Sequence, residues 1–407
     1  MPATSVISTL SRTLSMAAPT TIEKKKKVSS NYIPDDLSFS ILSKLPVKSL
    51  KRFSCVSKSW SLLIQNPNFM NFFRNNLLSK SHAHYRDSGL VLNQFMGPYD
   101  WNIYLISGDK FENKVKLDLP PIFQIPNIGV TPIRVLGSAI NGILCIYGRC
   151  QGAHATTFLL WNPFTEEKIV IPPSHAEFKP EFTTYIFPHG FGYDDVGDDY
   201  KIIQHVDYTT ANENPLEDLE DVMIPDPFWE IYSLKSNSWR KIDFDMPIIS
   251  WIFNSIVYFD GVCHWLGETN MVVSFQLCNE VYFITPCPLE EDTHDKEFEV
   301  NLTVLNESVA IITNCKNTTS FQVLILGEFG VEESWIRLFD VELMSCIEQP
   351  IGAGKNGNIF FIKEDGELAC FDLATGLIED IGIQGENNWC QIAIYKKNLR
   401  LIGDIYM

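Results

Sequence analysis

The stretch Leu160-Trp-Asn-Pro-Phe-Thr-Glu-Glu-Lys-Ile-Val170 reads as strand, polar turn, strand. Apolar residues flank an Asn-Pro turn, and Pro and Asn each bend the chain for their own reason. The same unit returns as Ile231-Tyr-Ser-Leu-Lys-Ser-Asn-Ser-Trp-Arg240 and as Ala369-Cys-Phe-Asp-Leu-Ala-Thr-Gly-Leu-Ile378. A second element recurs with it. Asn141-Gly142, Asp260-Gly261 and Asn356-Gly357 each precede a short strand ending in an aromatic residue. Such dipeptides supply the positive φ that tight hairpins need. From residue 89 onward the chain is a series of short Ile/Val/Phe/Tyr runs, and no long helix is read there.

This loose repeat is that of a propeller, its strand-turn-strand unit forming the outer hairpin of a blade. At roughly 40–50 residues per repeat the region holds six to eight blades. The expected fold is therefore α+β and multidomain: a small all-α bundle, then a large all-β domain, a kelch-like β-propeller over residues 101–407. Residues 81–100 are read as a linker and entry to the propeller.

The segment 31–80 is helical. Pro34-Asp35-Asp36 suits a helix start, where free N–H groups and the dipole favour acids. Leu37, Ile41, Leu42 and Leu45 recur at helical spacing, and Pro46 stops that helix. Leu50, Phe53 and Val56 make a second stripe, followed by Trp60, Leu63 and Ile64. Phe69, Phe72, Phe73 and Leu77 make a last one. Four short amphipathic segments form a domain too small to be very stable alone. Residues 1–30, rich in Ser, Thr, Ala and Lys, are read as a solvated, disordered tail. Lys24-Lys-Lys-Lys27 as an import signal and a transit peptide are the alternatives.

The net charge of −18 is unevenly spread. Residues 1–80 carry +9 and the remainder −27. An acidic bulk disfavours nucleic acid and anionic membranes as partners, and no apolar run is long enough for a membrane helix. None of the 10 cysteines forms Cys-x-x-Cys, and several sit in apolar runs, so they are read as buried, reduced thiols. With no signal peptide visible, the expected location is cytoplasm or nucleus.

The 31–80 segment resembles an F-box. The resemblance is carried by Pro34, Leu37, Ile41, Leu42, Leu45, Pro46, Lys48, Leu50, Arg52, Phe53, Val56, Ser57, Lys58, Trp60, Leu63 and Ile64, with Ile33 departing where the family has Leu. The rest is similar to the plant F-box-associated interaction domain, including the S-locus F-box-like group. It is carried by Leu159-Leu-Trp-Asn-Pro-Phe-Thr-Glu-Glu, Gly190-Phe-Gly-Tyr-Asp-Asp-Val-Gly-Asp-Asp-Tyr-Lys-Ile, Ile231–Arg240 and Asp260-Gly-Val-Cys-His-Trp-Leu266.

The resemblance implies a substrate-recognition subunit of a Skp–cullin–F-box ubiquitin ligase. The F-box would dock on a Skp-type adaptor and through it on cullin, and the β-domain would select a protein for ubiquitination. The adaptor contacts it implies are Pro34, Leu37, Ile41, Leu45, Pro46 and Trp60. For each, packing within the bundle is the other reading. The net charge of +5 over residues 31–80 suits an acidic adaptor surface. Two alternatives stand beside this function: an adaptor-bound scaffold without degradation, and a glycan-binding propeller with exposed Trp101, Trp229 or Trp251.

No catalytic, cofactor or metal constellation is found. Gly352-Ala-Gly-Lys-Asn-Gly357 fits Gly-x-Gly-x-x-Gly but precedes a strand, so it lacks the helix N-terminus a phosphate site needs. His264 is read as a core residue. The acidic clusters at Asp194–Asp199, Glu213–Asp226 and Glu290–Glu299 are read as solvated loops. Asn212–Phe228 stands out, with six acids and three prolines. Glu217, Asp218, Glu220 and Asp221 are its candidate contacts for a basic protein substrate.

Overall fold

The computed structural model describes residues 33–84, 88–95, 101–108, 111–123, 133–149, 156–174, 182–210, 224–249, 256–267, 270–288, 298–315, 320–342, 347–354, 357–385, 390–399 and 401–405. The tail over 1–30 lies outside them, as does the segment 211–223.

Helix α1 spans Asp35–Leu42, α2 Val47–Val56, α3 Lys58–Ile64 and α4 Pro67–His84. Pro34 holds extended geometry (φ −55°, ψ 146°) at the N-cap of α1, and Ser38 N–H donates to its carbonyl at 2.9 Å. Asp35 and Asp36 fill the first turn, where the helix dipole favours them. The helix ends at Leu42, before Pro46, which instead caps α2. Pro46 thus starts the second helix more than it stops the first.

Among the described residues, six four-stranded antiparallel sheets follow as blades of one propeller. Blade one holds β1 (Ser88–Phe95), β2 (Trp101–Ser107) and β3 (Asn113–Leu117). Blade two holds β4 (Arg134–Val135), β5 (Leu144–Arg149), β6 (Thr156–Asn162) and β7 (Glu167–Val170). Blade three holds β8 (Phe182–Asp194), β9 (Asp199–Thr210), β10 (Phe228–Ser233) and β11 (Ser238–Ile242). Blade four holds β12 (Ile256–Phe259), β13 (Val262–Gly267), β14 (Met271–Gln276) and β15 (Val281–Pro286). Blade five holds β16 (Phe298–Leu305), β17 (Ser308–Cys315), β18 (Ser320–Ile325) and β19 (Ile336–Glu342). Blade six holds β20 (Ile347–Ala353), β21 (Asn358–Lys363), β22 (Glu367–Asp372) and β23 (Ile378–Gln384). The last strand, β24 (Cys390–Lys396), returns to blade one in the order β24-β1-β2-β3, with Leu92 opposite Ile392. The C-terminal strand therefore closes the ring and leaves no blade incomplete. The stretch 81–100, read as a linker, holds the end of α4 and all of β1. His82 and His84 are helical.

Blade contacts follow from particular residues. On β8, Gly190 and Gly192 face blade four. A Cβ on Gly190 would come within 2.7 Å of the Cys263 Cβ, and one on Gly192 within 2.4 Å of a Leu277 methyl. The Gly-Phe-Gly pattern thus marks a close approach between sheets. Indole N–H groups then stitch the ring. Trp239 Nε1 donates to the Pro172 carbonyl at 2.8 Å, Trp265 to Pro247 at 2.9 Å and Trp335 to Pro286 at 2.8 Å. A buried indole N–H usually finds such a partner.

The turns obey their chemistry as well. Asn141-Gly142 and Asp260-Gly261 have positive φ at both residues, and Gly357 has φ 77°. Asn162, Asp194 and Asp372 each accept two backbone N–H groups from the residues two and three positions on. The formal nucleotide motif at Gly352–Gly357 joins β20 to β21, with Gly354 N–H donating to Asn358 O at 2.8 Å.

The small bundle does not stand apart. Leu42, Val47, Leu50, Phe69 and Phe73 form one buried cluster with propeller residues including Ile312, Phe321, Val323, Leu338 and Phe361. Arg52 adds a two-pronged ion pair to Glu328, at 2.7 and 3.3 Å, which raises the guanidinium pKa through the hydrogen bond and the charge of Glu328. Arg74 lies 5.4 Å from the Phe339 ring centroid, its pKa lowered by partial burial. The bundle too small for a core of its own borrows one from blades five and six.

Candidate functional site

Helix α1 has two faces. Leu42 and Ser38 point inward and are buried. On the other side Leu37 and Ile41, four apart within the helix, share one face, and Ile33 precedes the helix just before the extended Pro34. Ile33, Leu37 and Ile41 are 44%, 55% and 53% exposed. Pro34 and Pro46 are exposed beside them in sequence. Exposed apolar residues in a row at helical spacing form a surface that loses free energy in water and gains it under a partner.

The six residues implied as adaptor contacts therefore divide. Pro34, Leu37, Ile41 and Pro46 are open to solvent. Leu45 and Trp60 are half-buried and pack against the shared core, Trp60 edge-on to Phe53 at 5.4 Å. Sequence reading missed Leu62 (69% exposed), and it placed Phe72 (44%) and Val56 (70%) in apolar stripes although both are exposed. Helical spacing alone cannot say which side of a three-turn helix its neighbours cover.

The acidic candidates fare differently. Glu217, Asp218, Glu220 and Asp221 lie outside the described residues. Strands β9 and β10, which border their segment, meet it at the end of blade three opposite the Asp194–Asp199 turn. That turn is solvated only in part: Asp195 and Asp198 are exposed, whereas Asp194 and Asp199 are buried. Asp194 is buried, and while burial alone would raise its pKa, the Lys201 ammonium at 2.8 Å and the Val196 and Gly197 N–H groups bring it below the usual carboxylate value. Asp199 accepts from Ser233 Oγ at 2.6 Å and from Lys235 N–H at 2.8 Å. Both carboxylates are used in folding the hairpin, and among the described residues no group of His, Cys, Asp and Glu is placed to hold a metal ion. Of the tryptophans a glycan site would display, Trp101 and Trp229 are buried and Trp251 lies outside the described residues.

Histidine and cysteine chemistry is likewise structural. His189 Nδ1 donates to Phe187 O at 2.6 Å and its Nε2 accepts Ile249 N–H at 2.8 Å, which fixes a neutral ring between Trp229 and Trp265. His264 is fully buried with Nδ1 2.9 Å from Ser274 Oγ. Burial pushes both imidazoles down to about 3. Cys145, Cys263, Cys287, Cys370 and Cys390 are buried, and burial raises each thiol pKa. Cys55 and Cys278 are exposed.

The two histidines set an acid limit on stability. Below the ordinary histidine pKa of about 6.5 the unfolded chain binds protons that the folded chain refuses, so the contribution of these two groups rises with pH up to that point and is flat above it. Each histidine is expected to cost about 1.4 kcal/mol per pH unit below 6.5 until its folded value is reached. Denaturant midpoints should drop between pH 7.5 and 5.5 by the equivalent of about 3 kcal/mol, and less in a His264→Gln variant. A midpoint that does not move over that range counts against the reading.

Comparison with known proteins points the same way. A family model described as "F-box domain" matches residues 32–72, and one described as "F-box associated beta propeller domain" matches residues 101–399. F-box protein CPR1 of Arabidopsis thaliana is 25% identical over 380 residues, which cover 86% of this chain and 84% of that protein. F-box protein At4g22390 of the same plant is 23% identical over 391 residues, 88% of this chain and 87% of that one. F-box/kelch-repeat protein At3g23880, also from Arabidopsis thaliana, is 21% identical over 369 residues, 86% and 91% of the two chains. A helical bundle with an apolar outer ridge, fused through its core to a closed six-bladed ring, together with both matches, places the chain among the F-box proteins that carry an F-box associated beta propeller domain.

Proposed function

We propose that the chain is the substrate-recognition subunit of a Skp–cullin–F-box ubiquitin ligase, acting by binding and without chemistry of its own. The exposed ridge Leu37/Ile41 on α1, on a bundle otherwise anchored to the propeller, carries the reading. A Skp-type adaptor would cover the ridge and link the chain to cullin. The propeller would present a protein substrate.

Topology supports a division of labour. Glu328, which meets the F-box, lies in the connection between the third and fourth strands of its blade. The chain leaves Thr210 and returns at Phe228 between a second and a third strand, at the opposite end of the ring. Substrate contacts through Glu217, Asp218, Glu220 and Asp221 with a basic protein surface belong to this proposal. Their neutralisation should weaken capture of the substrate and reduce its salt dependence.

The deciding experiment reconstitutes the full chain with a purified Skp-type adaptor, cullin and the conjugating enzymes, and follows ubiquitin on a partner captured by the propeller. Ubiquitin chains that are lost in the Leu37→Asp, Ile41→Asp variant are expected. Adaptor capture with no transfer would instead support a non-degradative scaffold, and failure to bind the adaptor would overturn both readings.

A further inference from the structure

The outer strand of every blade ends its sheet, and most of these edges are guarded by charge. Lys114 and Lys116 stand on β3, Arg240 and Lys241 on β11, Glu379 and Asp380 on β23, and β7 and β19 are charged in the same way. Charged edges discourage another strand from pairing. The edge of blade four differs. β15 reads Val281-Tyr-Phe-Ile-Thr-Pro286 and has no charged residue. Val281, Phe283 and Ile284 are 38%, 39% and 38% exposed. Among the described strands it pairs only with β14.

The strand is open at its edge yet held on both faces. On one, Tyr282 packs against Phe244 with ring centroids 6.1 Å apart, and its hydroxyl reaches Asp245 O at 3.3 Å. On the other, Thr285 Oγ1 accepts Gly330 N–H at 2.8 Å. A fixed strand needs no ordering when a partner arrives, which favours binding. The two flanks carry like charge. Asp243 and Asp245 are exposed on one side, Glu332 and Glu333 on the other, and among the described residues none has an ion-pair partner. Of the cations just before Asp243, Arg240 is engaged by Glu280 and Lys241 sits over the Phe228 ring.

We propose that the outer edge of blade four is a docking site for an extended segment of another protein, which adds as a fifth strand, places apolar side chains beside Phe283 and Ile284, and carries Lys or Arg at its ends. Backbone pairing supplies affinity, and the four carboxylates select a basic segment. A second copy of the chain fits less well, because it would bring the same four carboxylates against their counterparts. The proposal holds whether or not the chain joins a ligase.

The test uses the full chain and a short synthetic peptide of alternating valine, threonine and isoleucine, flanked by lysine pairs. Amide hydrogen exchange is expected to slow at residues 281–285 on adding the peptide. Phe283→Lys, or Val281→Lys should the first variant fold poorly, is expected to weaken binding roughly tenfold or more. Neutralising Asp243, Asp245, Glu332 and Glu333 to Asn or Gln should flatten the salt dependence. Equal binding to wild type and to the folded lysine variants, or protection elsewhere alone, overturns the proposal. So does protection of 281–285 that grows with protein concentration without peptide, since that assigns the edge to a second copy.

Discussion

The double variant Leu37→Asp, Ile41→Asp is expected to lose adaptor binding by a factor of about 100 or more while the chain keeps its fold. Both side chains are more than half exposed, so their replacement leaves no cavity. Substitutions at such sites usually shift stability by no more than about 0.5 kcal/mol each. An acid near the C-terminal end of α1 adds a few tenths through the dipole. Under a partner the sum is different. Burying a Leu or Ile side chain contributes about 1.5–3 kcal/mol, and a carboxylate shut into an apolar contact without a partner opposes closure further. Loss of 2.7 kcal/mol is already about a factor of 100.

Leu45→Ala and Trp60→Ala should behave in the opposite manner, lowering stability and weakening the adaptor only through that loss, because both pack on the shared core. Titration calorimetry with purified adaptor, beside thermal melts of each variant, separates the two classes. Undiminished binding by the aspartate pair would place the adaptor on another face of the bundle.

Phe69→Ala is expected to destabilise the whole chain and not the F-box alone. Phe69 is fully buried, edge-on to Phe39 at 5.3 Å and stacked on Phe73 at 6.4 Å. Removing a buried phenylalanine side chain costs about 3–5 kcal/mol, from lost transfer free energy and the cavity left behind. The cavity would open into a cluster that continues through Val323 and Leu338 to Phe361 and Phe371. The F-box and blades five and six should therefore unfold together. Denaturation followed by tryptophan fluorescence, with Trp60 in the bundle and Trp335 in blade five as local reporters, should give one transition in wild type and one, earlier, in the variant. Two separated transitions in wild type would show that the two parts do not share a core. A joint that unfolds as one unit also holds its two ends in fixed relation, which under the proposed function would keep a substrate on the propeller at a set position relative to the adaptor.

Local chemistry was legible in the sequence. Asn141-Gly142 and Asp260-Gly261 announced their hairpins because only certain residues tolerate positive φ. The strand-turn-strand units at 160–170, 231–240 and 369–378 became the outer hairpins of blades two, three and six. Pro34 with Asp35 and Asp36 marked the start of α1, and the spacing of Leu37 and Ile41 put them on one face. These are properties of a few neighbouring residues, so short windows contain them.

Tertiary structure decided the rest. Six blades, where the repeat allowed six to eight, were set by β24 reaching back about 300 residues to β1. Which face of α1 stays open, and why Leu45 and Trp60 do not share it, depends on where the bundle settles against β18 and β19. Asp194 and Asp199 looked like solvated acids until Lys201, Ser233 and Lys235 were seen to satisfy them from neighbouring strands. The bare edge of β15 is plain as a composition, but only the sheet order makes it an edge. Periodicity and turn preference are written along the chain, whereas burial and exposure are relations between segments far apart in it.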